Sequence, residues 1–277
     1  MRTVLALLVG LVLVAPARAA ADELAPGWQS LTNFRARQAL EVFDRHLSDA
    51  NPAVAREARF GRGVALLDRQ PVTPVQIAEA RALFTALADS GTDDSAQGAR
   101  FFLGRIAQHH LAIPDAAEAA RQFRRLLAMD ENSVWAQSAL GRLALLEIYE
   151  LNPAWTPAAR LGEAEKLLAH AHTPSARSDV HYAIADAVFF YRLAPAGALP
   201  HLLEAERLGR LDWTARAEVL VQIAELSRLT GNRPQAAQFY RTFLKENPRD
   251  LRDYIVKERL AEVQRSVGAK GQETGTK

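Results

Sequence analysis

Four times along this chain a small residue is followed, one helical turn later, by an aromatic ring. The step is Ala39 to Phe43 in ARQALEVFDRHL, Ala80 to Phe84 in AEARALFTALAD, Ala119 to Phe123 in AAEAARQFRRLLAMD, and Ala236 to Tyr240 in RPQAAQFYRTFLKENPRD. A looser copy runs from Ala164 to Leu168 in GEAEKLLAHA. A spacing of four puts both side chains on one helix face. The alanine lets a neighbouring helix approach, and the ring fills the space beside it. Phe43, Phe84 and Phe123 are 41 and 39 residues apart. The copies at Ala80, Ala119 and Ala164 each follow another helical stretch with a close-contact glycine, FGRGVALL, FFLGRIAQ and SALGRLALL. Two helices per unit, repeated, cannot bury their apolar faces singly and must stack.

The rest of the chain fits that reading. Helical periodicity recurs from residue 32 to 266, while alternating β-branched runs bounded by hairpin turns are missing. Short clusters punctuate it, such as Asn51-Pro52, Thr173-Pro174, Thr230-Gly231-Asn232 and Asn247-Pro248. Proline near the first turn and Asp or Asn at caps suit helix starts. The expectation is an all-α fold, an α-solenoid of about twelve helices over residues 32–267. The segment DLRDYIVKERLAEVQRSV would close it as a capping helix, with Leu251, Tyr254, Ile255, Leu260 and Val263 on its inner face. Residues 20–31 are read as a linker, and 268–277 as a disordered tail. The helix from Thr32 to Ser48 looks like the second of a pair whose first member is missing, with Trp28 and Leu31 available to cover that end.

Residues 1–19 read as a secretory signal. Arg2 precedes an apolar run of about a dozen residues, and Ala17-Arg18-Ala19 offers a small-residue cleavage site. The run is short for a spanning helix, so no stable membrane span is expected after cleavage. Cleavage would remove Arg2 and Arg18, leaving basic and acidic residues balanced at 32 each. With no basic stripe interleaved with aromatics, nucleic acid is not expected as a partner. Cysteine is absent, which excludes disulfides, thiolate ligands, a cysteine nucleophile and a lipidated cysteine. A periplasmic or secreted location follows.

These motifs resemble the tetratricopeptide repeat family. The best match runs from Ala217 to Pro248, with Leu220, Ile223-Ala224, Gly231, Ala236, Tyr240 and Pro248 in place. A second spans Ala99 to Asp130, with Leu103-Gly104, Ala119 and Phe123. A third begins at Leu140-Gly141, its second helix displaced by the insert ELNPAWTP. The early Trp of the family is largely missing, and several units run nearer 40 residues than 34. The resemblance implies a right-handed solenoid whose concave groove is lined by the first helix of each pair. Its lining would include Arg62, Arg105, Arg142, Asp186 and Glu225, with Phe101, Ser138, Tyr182 and Val221 one turn earlier. Such a groove would be basic in its N-terminal half and acidic in its C-terminal half. It would take a peptide by charge complementarity and a few apolar anchors. The competing expectation is that each of these charges is satisfied within the chain.

No catalytic signature is present: no GxSxG, phosphate-binding loop, GxGxxG after a strand, or HExxH. His109-His110 and the pair His170 and His172 have spacings that a helix splays, so neither forms a metal site if helical. His181 and Asp186 read as surface polar residues. No cofactor, metal or catalytic residue is expected. The function expected is that of an exported, non-catalytic scaffold binding a protein or peptide. Two rivals stand beside it. One is a factor acting on cell-wall or exported polysaccharide, which needs two carboxylates converging in a cleft. The other is a self-assembling envelope protein, which needs an exposed apolar face at one end of the array.

Overall fold

The computed structural model describes residues 21–273, with side chains from 23 to 265. The signal expected at 1–19 and residues 274–277 lie outside the described residues. Among the described residues there are thirteen α-helices and no strand. They fall into two compact units that divide after Met129. Each unit is a succession of antiparallel helix pairs, the all-α arrangement of the α-solenoid class. No helix among the described residues is long and apolar enough to cross a membrane.

The first unit holds α1 (Ala21–Thr32), α2 (Ala36–Arg45), α3 (Pro52–Asp68), α4 (Pro74–Asp89), α5 (Asp94–Arg105) and α6 (Ala116–Met129). A single π turn, Ile106–His110, extends α5. The helix starts are fixed chemically. Asn51 accepts from the amide of Ala53 at 3.0 Å, and Asp93 from that of Ala96 at 2.8 Å. Thr73 and Gln76 form a reciprocal capping box ahead of Pro74.

The residues expected as a linker are a helix. Pro26 and Gly27 both sit inside α1. The reason is packing. Gly27 lies against the ring of Phe43 on α2, and Leu24 is fully buried. Trp28 meets Phe43 edge-on at 5.1 Å and donates from Nε1 to Glu57 of α3 at 2.8 Å. So α1 is the first member of the pair that seemed to lack one, and α2 is shorter than the expected Thr32–Ser48.

The aromatic anchors work by meeting glycine. A Cβ added to Gly61 of α3 would lie 2.4 Å from Phe43 Cε1. One on Gly63 would lie 2.6 Å from the ring of Phe84 of α4, and one on Gly104 of α5 2.4 Å from that of Phe123 of α6. Phe43, Phe84 and Phe123 are fully buried. Each ring therefore occupies the volume of an absent side chain on the neighbouring helix.

The second unit holds α7 (Val134–Tyr149), α8 (Pro157–Lys166), α9 (Pro174–Phe190), α10 (Leu199–Leu208), α11 (Trp213–Leu229), α12 (Arg233–Glu246) and α13 (Asp253–Glu273). The insert before Pro157 displaces α8, as the sequence implied. Gly141 of α7 meets no ring here. A Cβ on it would come within 2.7 Å of the Cβ of Asp179 on α9, so it admits α9 instead. Tyr240 and Phe243 of α12 anchor a core with Leu220, Ala224, Val256 and Val263.

The last helix differs from expectation. It runs to Glu273, past the boundary read at Val267. Its inward face is Val256 and Val263, with Leu260 partly covered. Leu251 lies in the turn before the helix and is fully exposed, and Tyr254 and Ile255 are 72% and 44% exposed. The buried stripe is rotated from the one the spacing suggested, so the outer face carries apolar groups as well as charges.

Candidate functional site

The expected groove residues of the first unit are largely satisfied within it. Arg62 of α3 donates to Asp44 of α2 at 2.6 Å and pairs with Glu79 of α4 at 2.6 Å. Burial depresses its pKa, but those two carboxylates more than offset this and raise it. Phe101 is buried, 5.9 Å from Phe123 and 5.6 Å from Phe102, and so belongs to the core rather than a lining. Arg105 is half-buried with its guanidinium 5.5 Å from the Phe102 ring. Burial lowers its pKa, and Asp68 of α3 opposes that shift. Arg62 thus ties α2, α3 and α4 together and its charge is consumed by internal pairing, while Arg105 is held by burial beside Phe102 and by the field of Asp68.

The second unit brings a different group together. Ser138 is exposed, and its hydroxyl donates to Val134 O at 2.7 Å. Arg142 lies near Asp179, whose pKa is pushed up to about 6 by burial and drawn back by that arginine. Tyr182 is half-buried and pushed up to about 12, by burial first and then by Asp186, Glu218 and Asp212. Asp186 is exposed on α9 and accepts from Tyr149 Oη of α7 at 3.2 Å. Loss of solvation raises its pKa, and the tyrosine bond opposes the rise.

Tyr149 was not singled out from the sequence, nor was Phe190. The Phe190 ring is 65% exposed and stands edge-on to Tyr149 at 5.0 Å and to Tyr191 at 4.9 Å. Tyr191 is fixed from below: its hydroxyl donates to Ile148 O at 2.6 Å and accepts from Arg160 Nη1 at 3.2 Å. The result is a carboxylate beside exposed and half-exposed rings on α7 and α9. Rings attract cations over their faces, and a carboxylate without a cationic partner does so more strongly.

The other two expected positions lie elsewhere in function. Val221 is partly covered by the α11–α12–α13 core. Glu225 accepts from Tyr240 Oη at 2.5 Å and Arg228 Nη2 at 2.8 Å, with Arg259 at 3.9 Å. It is a bonded link between α11, α12 and α13.

Two histidine readings change. His170 and His172 are not splayed, because α8 ends in a short 3-10 turn and an extended residue there. Both reach Glu131, at 3.0 Å and 3.5 Å. Beneath them Gln137, 3% exposed, donates to the Glu131 and His170 carbonyls and accepts from the amides of His172 and Thr173. His181 is buried rather than on the surface, its Nδ1 3.0 Å from Nδ1 of His201 on α10. The ring centroids are 5.2 Å apart, and a hydrogen bond between the two nitrogens needs one of them protonated and the other bare. Elsewhere Glu23, His46 and Asp49 cluster with His46 Nδ1 3.8 Å and 3.2 Å from the two carboxylates. Asp49 is lowered by the Asn51 amide and then by His46, as in a loop anchor.

Asp179 yields a stability prediction. Its raised pKa means the charged form is disfavoured in the folded chain, so stability is lost as pH rises through about 6. Asp179→Asn removes that cost and is expected to stabilise the second unit by about 1–2 kcal/mol at pH 7, with the gain shrinking toward pH 4. Thermal melts at both pH values check it.

No protein-family model matches the sequence, and no curated protein matches it. Solved structures do. The TPR2AB domain of yeast Sti1, in its complex with pHSP90, is 14% identical over 91% of this chain and 86% of that chain, at a TM-score of 0.34. TTC0263, a thermophilic TPR protein of Thermus thermophilus, is 17% identical over 89% of this chain and 99% of that chain, at a TM-score of 0.30. The chain's own packing defines its fold: helix pairs closed by rings seated on glycines.

Proposed function

We propose that this protein is an exported, non-catalytic interaction scaffold, and that the α7–α9 face of its second unit receives a basic peptide segment. The observation that carries this reading is the Asp186 carboxylate. It is exposed, its bonded partner is a tyrosine hydroxyl, and the rings of Tyr149, Tyr182 and Phe190 accompany it. A lysine or arginine of the partner would pair with the carboxylate and pack on a ring, as at interface hot spots. Glu218 of α11 also raises the pKa of Tyr182, but Arg252 pairs with its carboxylate, so Asp186 is the carboxylate left to the partner on this face.

Selection of displayed peptides on the protein tests this. Wild type should enrich peptides containing Arg or Lys. Asp186→Lys should abolish that preference and weaken the best binder at least tenfold, since the variant places like charges together. Enrichment indifferent to charge, or the same peptides on both proteins, would overturn it. The substitution is exposed and leaves the core untouched, unlike reversal of half-buried Arg105 or Arg142. Export is tested separately, by N-terminal sequencing of the protein recovered from its producing cells, with a start near Ala20 expected.

A further inference from the structure

The first unit holds an open surface depression of about 490 Å³ at the edge where the α1–α2 and α3–α4 connections meet. Phe34, Arg35, Arg37, Asp68, Arg69 and Gln70 line it. Among the described residues no hydrogen bond or ion pair ties the side chains of these three arginines. That sets them apart from Arg56, Arg62, Arg216 and Arg252, each of which is held by a carboxylate. Asp68 is the one carboxylate of the lining, and it answers to Arg105 of α5 rather than to these three: burial raises its pKa and Arg105 draws it down. Arg35 stands at the N-cap position of α2, where no side chain caps the helix, so the positive end of that helix adds to the same field.

Phe34 supplies an independent observation. Its φ is 58°, in the left-handed region that a bulky side chain disfavours. It sits just past α1, where Phe34 N donates to Leu31 O at 3.0 Å and Arg35 N to Ser30 O at 2.8 Å. That bond pattern usually places glycine at the left-handed residue. The ring does not compensate by packing, since Phe34 is 85% exposed. A ring that neither suits its backbone nor fills the core is a candidate for contact with something outside the chain.

We propose that this depression binds a small anion bearing a planar ring, an aromatic phosphate or carboxylate. Arg35, Arg37 and Arg69 hold its charge through bidentate hydrogen bonds, and Phe34 stacks on its ring. The site lies in the first unit and is independent of the peptide face proposed for the second.

Phenyl phosphate, phthalate and inorganic phosphate titrated into the purified protein, followed by calorimetry, test the assignment. All three should saturate one site, and added salt should weaken each. Phenyl phosphate should bind about fivefold more tightly than inorganic phosphate, the contribution of ring on ring. The tighter of phenyl phosphate and phthalate tells which anionic group the site prefers. Arg35→Ala and Arg69→Ala should each weaken every probe about tenfold. Phe34→Gly should erase the advantage of phenyl phosphate, leave inorganic phosphate unchanged, and raise the melting temperature by about 2–4 °C through relief of the backbone. No saturable binding up to about 10 mM, or affinities unmoved by both arginine variants, would overturn the site. A lower melting temperature for Phe34→Gly would show the ring to be structural and remove it from the assignment.

Discussion

Replacing Gly104 by alanine will destabilise the first unit by about 1–3 kcal/mol, the usual cost of overpacking. In most helix interiors the same change stabilises by about 1 kcal/mol, because glycine loses more backbone freedom on folding. Here the new Cβ would stand 2.4 Å from Cε1 and 2.8 Å from Cζ of Phe123. The ring is fully buried and cannot yield without disturbing its contact with Phe101. Gly162 of α8 is the internal control, because nothing lies within 4 Å of a Cβ built there. Gly162→Ala should therefore show the ordinary gain. Denaturant melts of both variants decide the matter, and a common response from the two glycines would contradict the packing account. If the contact is direct, Phe123→Leu should offset part of the Gly104→Ala cost, giving a coupling of at least about 0.5 kcal/mol in a double-mutant cycle.

Acid will weaken the second unit through His181 and His201. Burial holds the His181 pKa down to about 4, and the nearby His201 adds to the shift. Burial lowers His201 as well, against the pull of Glu165. Glu204 opposes the His181 shift, while Arg177 and Arg207 reinforce it. A histidine depressed in the folded state stabilises while neutral. Its contribution is complete above the unfolded value of about 6.5, and is lost as pH falls from there through about 4. We expect about 2–3 kcal/mol of stability to be lost over that window. The double variant His181→Leu/His201→Leu should flatten the profile, because it removes both titrating rings and leaves no orphaned donor. Asp179 has the opposite slope over part of the same range, since its raised pKa favours the acid form. The comparison is cleanest in an Asp179→Asn background. A pH profile unchanged by the double variant would contradict the assignment.

The parts of the fold legible in the sequence were those written in local spacing. Ala39 with Phe43 and Ala119 with Phe123 sit one turn apart, and both pairs are fully buried as that spacing required. Asn51, Thr73, Asp93 and Thr173 cap helices where polar residues precede proline or an apolar run. Residues 20–31 were read as a linker, yet α1 forms there with Pro26-Gly27 inside it, and the glycine lets the helix press on Phe43. The face of α13 was misjudged because Leu251 and Tyr254 share a helical spacing with Ile255, although Leu251 precedes the helix.

The candidate site was less legible because its character depends on partners distant in sequence. Arg62 has the position of a lining residue, but Asp44 and Glu79, from the helices on either side, consume its charge. Glu225 is claimed likewise by Tyr240, Arg228 and Arg259. Asp186 keeps its exposure because Tyr149, 37 positions earlier, offers only a hydroxyl. The histidine pair joins residues 20 apart on two helices, and no periodic signal links them. Spacing within a helix predicts which side chains share a face. It does not predict which charges the next helix will neutralise.

The measurement that bears most directly on the scaffold reading is quantitative affinity capture from extracts of the producing cells, using wild type and Asp186→Lys side by side. The account predicts at least one protein held by wild type, lost on Asp186→Lys, and joined through a segment rich in lysine or arginine. Identical retained sets for the two proteins, or retention no greater than on bare resin, would contradict it.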